Sequence, residues 1–399
     1  MKVQVQWLKV KNMSDIFEID KTYVANTYNR FPVDLVSGNG SIIKDNTGKE
    51  YIDLGSGIGV TAFGIQDEEW KKAVIEQLNK IQHASNLYYT EPCANLAKLL
   101  CEKTGFKKVF FGNSGAEANE CAIKVARKYA EDKGVKNAKI ITLKNSFHGR
   151  TLTTLAATGQ DVFHKDFLPL TDGFIYGEAN NLQSIVDLVE NNTVCAVMME
   201  CIQGEGGVIA LNKDFVEGVY KLCQEKDILL VIDEVQTGNG RTGKLYAYMN
   251  YDIKPDVITT AKGLAGGLPM GACLIGEKAQ NTLGAGNHGS TFGGNPIAAA
   301  GAISIISRIN DELLDEIKQK SNYICEKLKN ADGILSVSGM GLMLGVETKK
   351  PVKEVLSYLM DHGVLALSAK TKLRLLPALN IKMSDLEKAV DVIIAAVKE

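Results

Sequence analysis

Residues 108–129 read KVFFGNSGAEANECAIKVARKY, in which a short apolar run is followed by small residues and then by helical periodicity. Ser114 and Glu117 match the capping-box pattern S-x-x-E, which predicts that a helix starts at Ser114. Gly115 and Ala116 leave the N–H groups of the first turn uncovered, so that an anion could approach the positive end of the helix. An ordinary capped helix is the alternative, and this stretch alone leaves phosphate binding open.

The same alternation of apolar runs and helical segments extends through residues 95–280. ILLVI and CAVMM are almost continuously apolar, as expected of strands that are buried on both faces of a parallel sheet. The predicted strands are 108–111, 139–143, 194–200, 228–233, 257–261 and 272–276, with helical segments such as 116–132 and 213–226 between them. We therefore predict an α/β domain with helices on both faces of a mostly parallel sheet.

The two ends of the chain are patterned differently from this central part. Residues 39–60 predict a short β-meander, with IIKD and EYIDL separated by a turn at residues 46–48. The pattern after Pro296 predicts a helix over 297–328, a strand-like stretch at 334–347, a helix near 351–361, a strand-like stretch at 372–378 and a final helix. Ser384 and Glu387 form a second capping box, which predicts that the final helix starts at Ser384.

These patterns divide the chain into a large domain and a smaller one. The smaller domain is predicted to be α+β and to combine the segments before and after the large domain. The predicted boundaries are an extension outside the fold at 1–12, the small domain at 13–60 and 297–399, and the large domain at 61–296.

Charge and hydropathy exclude several classes of protein. The 399 residues include 45 Lys and Arg and 47 Asp and Glu, so the formal net charge is only -2. Such a chain has no strong field of one sign to attract nucleic acid or anionic lipid. The longest stretch without charged residues lies between Lys278 and Arg308 and is rich in Gly, Asn, Ser and Thr, which does not suit a bilayer span. The N-terminus lacks the apolar segment of a signal peptide, so we expect neither membrane insertion nor export.

The eight cysteines are scattered through the chain. No CxxC pair occurs in the sequence, and no pair of histidines has the spacing of zinc ligands. We therefore expect neither a disulfide scaffold nor a metal site, and we expect a cytoplasmic location.

Three charged residues stand where buried runs stop. Glu200 ends VCAVMME, Asp233 ends ILLVID and Lys262 follows VITTA. In open α/β sheets, ligands bind outside the carboxyl ends of the strands. Taken singly, Asp233 could be a structural acid and Lys262 a surface lysine. Jointly they favour a site, because the small residues of VITTAKGLAGGLPMG give Lys262 a clearance that a surface lysine does not need.

A glycine-rich stretch at 238–243 matches two nucleotide-binding patterns but fails in context. GNGRTG fits G-x-G-x-x-G, yet no helix of useful length follows it before Tyr251. It also fits G-x-x-x-x-G-K, but Leu245 stands where a phosphate-binding loop needs the hydroxyl of Ser or Thr. A dinucleotide-dependent dehydrogenase and a nucleoside triphosphatase are therefore disfavoured.

A phosphate cradle, a buried carboxylate and a nearby lysine are the parts that pyridoxal phosphate requires. The chain resembles the class III (ω-) aminotransferases of pyridoxal-phosphate fold type I from about Tyr23 to its end. The motifs that carry the resemblance, in order, are FFGNSGAEANECAIKVARKY, SFHGRT, ECIQGEGGV, DEVQTGNGRTGKLYA, TTAKGLAGGLPMGA, HGSTFGGNP and LRLLPAL. Two departures from the family pattern are FGIQDEEW at 63–70 and Cys201 in ECIQGEGG, and neither changes a cofactor contact.

The resemblance implies a role for each residue of a pyridoxal-phosphate site in the large domain. Lys262 is expected to form the Schiff base and to shuttle the proton, and Asp233 is expected to pair with the pyridinium nitrogen. Thr291 is expected to reach the phosphate of a partner subunit, which implies a homodimer with shared sites. The remaining cofactor contacts implied are Ser114, Gly115 and Ala116 at the phosphate, Phe147 stacked on the ring, Gln236 near the phenolic oxygen, and Glu234 and Val235 beside them.

The resemblance also implies how substrates are recognised. Arg150 is expected to bind the α-carboxylate of N-acetylornithine, and Arg374 that of glutamate or 2-oxoglutarate, since a guanidinium holds a carboxylate bidentately. Glu205 is expected to cover Arg374 while the ω-amino substrate is bound. The other substrate contacts implied are Ser290, Tyr28 and Ile58, the last in a position where ornithine aminotransferases typically carry tyrosine.

Within the class, the resemblance is closest to the branch that acts on acetylornithine. It implies a ping-pong transfer of the δ-amino group between N-acetylornithine and 2-oxoglutarate, as in arginine biosynthesis. The alternatives left open are other ω-amino donors, namely ornithine, succinylornithine, N-succinyl-diaminopimelate and 4-aminobutyrate. A mutase of the same fold is less favoured, because it has no need of an arginine dedicated to 2-oxoglutarate.

Overall fold

A computed structural model describes residues 13–398. The strands in chain order are β1 (Leu35–Asn39), β2 (Ile42–Asp45), β3 (Glu50–Asp53), β4 (Lys108–Gly112), β5 (Lys139–Leu143), β6 (Phe174–Gly177), β7 (Val194–Met199), β8 (Ile202–Gln203), β9 (Ile209–Ala210), β10 (Leu229–Asp233), β11 (Val257–Thr260), β12 (Gly271–Ile275), β13 (Ile334–Met340), β14 (Met343–Thr348), β15 (Val364–Leu365), β16 (Leu367–Ala369) and β17 (Lys372–Leu375). The helices are α1 (Met13–Tyr23), α2 (Ser56–Gly59), α3 (Glu68–Leu78), α4 (Glu91–Thr104), α5 (Gly115–Asp132), α6 (Leu152–Ala157), α7 (Leu182–Asn191), α8 (Lys213–Glu225), α9 (Pro296–Arg308), α10 (Asp311–Lys329), α11 (Val352–Asp361) and α12 (Met383–Val397).

The largest sheet has seven strands in the order β4-β12-β11-β10-β7-β5-β6. Strand β10 pairs in parallel with β7 and β11, and β5 pairs in parallel with β6 and β7. Only β12 runs against its neighbours β11 and β4. The mostly parallel sheet predicted from the apolar runs is therefore confirmed, with β6 as a strand that the sequence analysis missed.

Alternate residues of β10 belong to hydrophobic clusters on opposite faces of this sheet. Leu229 and Val231 pack in the cluster that contains the buried face of α5, whereas Leu230 and Ile232 pack in the cluster that contains α8. Each of these side chains is at most 1% exposed. Burial of a side chain of this size stabilises the fold by about 1.5–3 kcal/mol, which explains why these runs carry almost no polar residues. The prediction of helices on both faces is confirmed.

The two ends of the chain meet in a second sheet of order β1-β2-β3-β15. The predicted meander is present, and β15 from the C-terminal part pairs in parallel with β3. A third sheet has the order β13-β14-β17-β16. Helix α9 packs against α3 and α4 of the central part. The domain boundaries at 60/61 and 296/297 stay predictions, and the extension predicted at 1–12 lies outside the described residues.

Three predictions about the C-terminal part are corrected by the structure. The helix predicted over 297–328 is two helices, because the side chain of Asn310 accepts the N–H of Leu313 and caps a new helix there. The strand-like stretch 334–347 is a hairpin that turns at Gly341, where φ is +56°. The last helix begins at Met383 after Lys382, whose side chain makes no capping bond, so the capping box predicted at Ser384 does not form the start of the helix.

Among the described helices, none combines the length and the apolar character needed to cross a bilayer. Within residues 13–398, no group of three or more His, Cys, Asp or Glu side chains is placed to hold a metal ion.

Candidate active site

A cavity of about 410 Å³ lies at the carboxyl ends of the central strands and gathers most of the predicted cofactor residues. Its volume lies within the range of about 300–1,000 Å³ that is usual for small-molecule sites. Of the residues named from the sequence, the wall includes Ser114, Gly115, Ala116, Phe147, Arg150, Asp233, Val235, Gln236 and Lys262.

One end of the cavity is the N-terminus of α5. Ser114 is its N-cap, and the Ser114 hydroxyl accepts the N–H of Glu117 at 3.2 Å, as the capping box predicts. The Glu117 carboxylate bonds the N–H of Asn113, one residue before the cap. A Cβ on Gly115 would lie 2.6 Å from Cγ1 of Val235, so a side chain at this position would displace the cavity wall. The first turn of α5 thus presents N–H groups and a positive helix end to an anion.

Asp233 ends β10 and is only 3% exposed. Its Oδ2 accepts a hydrogen bond from Nδ2 of Asn119 at 2.8 Å and lies 2.8 Å from Nδ1 of His148. Its Oδ1 accepts the N–H of Val235 at 3.0 Å. A buried carboxylate is stable only with such partners, and here they also fix its orientation towards the cavity.

Asn119 and His148 are functional residues that the sequence analysis missed. Nδ2 of Asn119 also donates to the carbonyl oxygen of His148 at 2.7 Å, and its Oδ1 accepts the hydroxyl of Thr259 at 2.6 Å. Nε2 of His148 is buried without a hydrogen-bond partner among the described residues. Both side chains line the cavity, and together they hold Asp233 from the side opposite β10. The only local signal was His148 within the SFHGRT motif.

Lys262 opens a short 3₁₀ turn directly after β11, with φ at +45°. A positive φ is uncommon for a lysine, so the surrounding structure must hold this backbone in place. Burial lowers the pKa of Lys262, although the carboxylates of Glu205 and Asp233 oppose that change. A lowered pKa increases the fraction of neutral amine, which is the form that can attack a carbonyl.

Glu200 follows β7 and is 5% exposed. Its Oε1 accepts the N–H of Phe147 at 2.9 Å, and its Oε2 accepts the N–H of Gly204 at 3.2 Å. Burial raises the pKa of Glu200 to about 7, and the nearby Asp233 carboxylate acts in the same direction against the effect of His148. Glu200 therefore ties the segment that carries Phe147 to the loop that carries Glu205.

Arg374 and Glu205 form an ion pair next to the cavity. Nη1 of Arg374 lies 2.5 Å from Oε1 of Glu205 and 3.3 Å from Oε1 of Gln236, a residue of the cavity wall. Arg374 is 4% exposed. Burial acts to raise the pKa of Glu205, but the Arg374 guanidinium and Lys262 lower it below its usual value. The sequence named both residues, and the structure shows that they meet.

Arg150 occupies a different environment. It is exposed and stands over two aromatic rings, with its Cζ 5.7 Å from the centroid of Phe147 and 4.5 Å from that of Phe163. Among residues 13–398, the structure records no ion pair for Arg150. Its guanidinium is therefore available at the cavity for a carboxylate from solution.

Five predicted residues lie outside the cavity wall. The carboxylate of Glu234 is fully buried and bonds the Thr237 hydroxyl and the N–H groups of 247 and 248, so it holds the following loop. Ile58 lines a separate cavity of about 490 Å³. Tyr28 is 69% exposed and Thr291 is also exposed, while Ser290 is partly buried. The single chain does not bring these five side chains together.

The residues present fit pyridoxal phosphate. The end of α5 suits its phosphate, the oriented carboxylate of Asp233 suits a protonated ring nitrogen, and Lys262 is a partly buried amine in the same cavity. The close approach of Gly115 to Val235 leaves room for the phosphate only because residue 115 has no side chain. Three requirements of one cofactor are thus met within a single cavity.

The chain is similar to known proteins over nearly its whole length. The model of the family "Aminotransferase class-III" matches residues 23–397. An acetylornithine aminotransferase from Haemophilus ducreyi is 48% identical over 387 residues, which cover 96% of this chain and 98% of the relative.

Solved structures agree with this assignment. An N-acetylornithine aminotransferase from Stenotrophomonas maltophilia has a TM-score of 0.82 and 34% identity, with 96% of this chain and 98% of that chain covered. An ornithine aminotransferase from Toxoplasma gondii, whose structure has partial occupancy of PLP at the active site, has a TM-score of 0.93 and 29% identity, with 98% and 95% covered. Since the family match spans the residues that form this cavity, the chain belongs to the class-III aminotransferases and is a pyridoxal-phosphate-dependent transaminase.

Proposed function

We propose that this transaminase moves the δ-amino group between N-acetylornithine and 2-oxoglutarate, by a ping-pong mechanism that serves arginine biosynthesis. The products in this direction are N-acetylglutamate 5-semialdehyde and glutamate. The observation that carries the proposal is a pair of arginines in different states at one cavity: Arg374 is buried and covered by Glu205, and Arg150 is exposed. The Haemophilus ducreyi relative and the Stenotrophomonas maltophilia neighbour support this choice of substrate.

The two arginines would bind two substrates in opposite senses. N-acetylornithine presents an amine at one end and a carboxylate at the other, and Arg150 would bind that carboxylate while Glu205 covers Arg374. 2-Oxoglutarate has a carboxylate beside its keto group, and Arg374 would bind it after Glu205 has moved aside. The 2.5 Å pair between Arg374 and Glu205 is the state that suits the amine donor. Planar guanidinium groups fix a carboxylate bidentately and so place the reacting carbon.

The cofactor, when bound, would supply the carbonyl that takes up the amino group and a ring that delocalises the electrons released at the substrate carbon. Lys262 would hold the cofactor covalently, and its Nζ would then carry the proton at the reacting carbon. Asp233 would keep the ring nitrogen protonated, with Asn119 and His148 fixing the carboxylate. Phe147 would cover one face of the ring.

We also propose a homodimer that completes each site. Thr291 is exposed and absent from the cavity of its own chain, which supports a contact with the site of a second copy. Large apolar side chains are exposed on the neighbouring segments, with Leu87 at 87%, Tyr88 at 73% and Phe292 at 60%. A second copy would remove this apolar surface from water.

A cytoplasmic location fits the thiols. All eight cysteines are free, and five of them are buried, as suits a protein that is not built around disulfides. The domain boundaries predicted from the sequence complete the proposal, with the cofactor site in the large domain.

The second candidate is an ornithine aminotransferase, and the Toxoplasma gondii neighbour favours it. Ile58 speaks against it, because a side chain without a hydroxyl cannot bind the free α-amino group of ornithine. Initial rates with N-acetylornithine, ornithine, succinylornithine and 4-aminobutyrate, each with 2-oxoglutarate, decide between the donors. We expect the highest kcat/KM for N-acetylornithine, and a higher value for unacylated ornithine would overturn the proposal.

A further inference from the structure

The loop that carries Ser290 and Thr291 is anchored within its own subunit. Nζ of Lys124 donates to the carbonyl oxygen of Asn287 and lies 3.1 Å from Nδ1 of His288. The ring of His288 packs on Phe110, with centroids 4.5 Å apart. The start of this loop is therefore fixed to α5 and β4.

Asn86 anchors the other end of the loop. Its Nδ2 donates to the carbonyl oxygens of Ser290 and Gly293, both at 2.9 Å. These two acceptors lie on either side of Thr291, so a single amide fixes both ends of the short turn that Thr291 occupies. The hydroxyl of Ser290 accepts the N–H of Gly293 at 3.0 Å and Nδ2 of Asn113 at 3.1 Å, which closes the turn further.

The segment around Asn86 makes additional contacts with the same turn. The ring of His83 packs on Phe292 with centroids 5.3 Å apart, and Nδ2 of Asn295 donates to the carbonyl oxygen of Gln82 at 2.9 Å. A Cβ on Gly293 would lie 2.1 Å from the carbonyl oxygen of Phe111, so the turn is packed directly on the end of β4. The base of the turn is thus fixed while its tip stays exposed.

We propose that Asn86 is a positioning residue for the active site of the other subunit, because it holds the turn that presents Thr291 to that site. The inference rests on the proposed homodimer. A turn that is already ordered loses less conformational entropy when it binds a phosphate, so the partner's cofactor binds more tightly. Asn86 itself is not part of the cavity wall of its own chain, which separates its effect from a direct contact with the cofactor.

Hybrid dimers test the direction of this effect. Two differently tagged chains are co-expressed, and hybrids are purified and stripped of cofactor. Pyridoxal phosphate is then titrated while the absorbance of the lysine-linked cofactor is recorded. A chain with Lys262→Ala cannot give this signal, so each hybrid reports only the site that keeps its lysine.

The trans hybrid pairs an Asn86→Ala chain with a Lys262→Ala chain. Its reporting site takes the turn from the chain with intact Asn86. The cis hybrid pairs a wild-type chain with a chain that carries both changes, so its reporting site takes the altered turn. We expect the cis hybrid and the Asn86→Ala homodimer to bind the cofactor on the order of tenfold more weakly than wild type, from two lost hydrogen bonds. The trans hybrid should bind it as wild type does.

Equal affinities in the cis and trans hybrids, or weak binding in the trans hybrid alone, would overturn the inference. Should Asn86→Ala chains fail to dimerise, Asn86→Ser, which keeps a shorter donor, goes through the same series and is judged by the same comparison. The wild-type enzyme is characterised first. A wild-type monomer contradicts the proposed dimer and this inference together, whereas a wild-type dimer that transaminates but shows no cis–trans difference contradicts the inference alone.

Discussion

Replacement of Glu205 by Gln should change the relative efficiency of the two half-reactions. In the structure, 2-oxoglutarate must displace Glu205 from Arg374, which is 4% exposed and lies 2.5 Å from the carboxylate. A hydrogen bond to a charged group contributes about 1.5–3 kcal/mol. Since about 1.4 kcal/mol is a factor of ten, removal of the charge should ease displacement by roughly 10- to 100-fold. N-acetylornithine gains nothing from the change, because its half-reaction needs Arg374 covered.

The assay follows each half-reaction in a single turnover with one substrate at a time, and it compares kcat/KM for 2-oxoglutarate with kcat/KM for N-acetylornithine. We expect the ratio to rise by about tenfold or more in Glu205→Gln, from the loss of one charged hydrogen bond. Glu178→Gln, which removes an exposed ion pair with Lys144, is the matched control and should leave the ratio unchanged. An equal change in both half-reactions of Glu205→Gln would refute the switch.

Three further predictions follow from the contacts of single residues. Gly115→Ala should weaken cofactor binding by more than tenfold, since its Cβ would lie 2.6 Å from Val235 and overpacking of this kind costs about 1–3 kcal/mol; Gly284→Ala, with only one atom within 4 Å, is the control in the same titration. Arg150→Ala should raise the KM of N-acetylornithine at least tenfold, from the loss of about 1.5–3 kcal/mol of charged hydrogen bonding, and leave that of 2-oxoglutarate within about twofold; parallel increases in steady-state kinetics would contradict its role. For Glu200, the folded-state pKa is about 7 and its usual value is 4.5, so its contribution to stability is present below pH 4.5 and is lost as the pH rises through 7. Thermal unfolding of the cofactor-free Glu200→Gln variant should therefore depend less on pH between these limits than unfolding of the wild type, and an unchanged dependence would count against a protonated Glu200.

Much of the fold could be predicted because the decisive signals are local. The apolar runs at 139–143 and 229–233 are bounded by polar residues, so β5 and β10 were predicted to within one residue. The break between α9 and α10 was missed because apolar residues continue across it, although Asn310 followed by acidic residues is a capping signal that could have revealed it.

The cofactor side of the site was also predictable, since its residues sit at strand ends and at a helix start. The support for Asp233 was not, because Asn119 and His148 are 114 and 85 residues away in sequence. A single Asn inside a helix carries no local sign of a contact at that distance. Tyr28 and Thr291 follow from resemblance alone, since their proposed partners lie outside the chain's own cavity.

The most direct test of the account is the visible absorbance of the purified enzyme loaded with pyridoxal phosphate, recorded before and after N-acetylornithine is added without a keto acid. The account predicts a band from the lysine-linked cofactor that disappears with the amine donor and returns when 2-oxoglutarate is added. The Lys262→Ala variant should show no such band. A wild-type band that N-acetylornithine leaves unchanged would contradict the proposed substrate, and the absence of any band would contradict the role of Lys262.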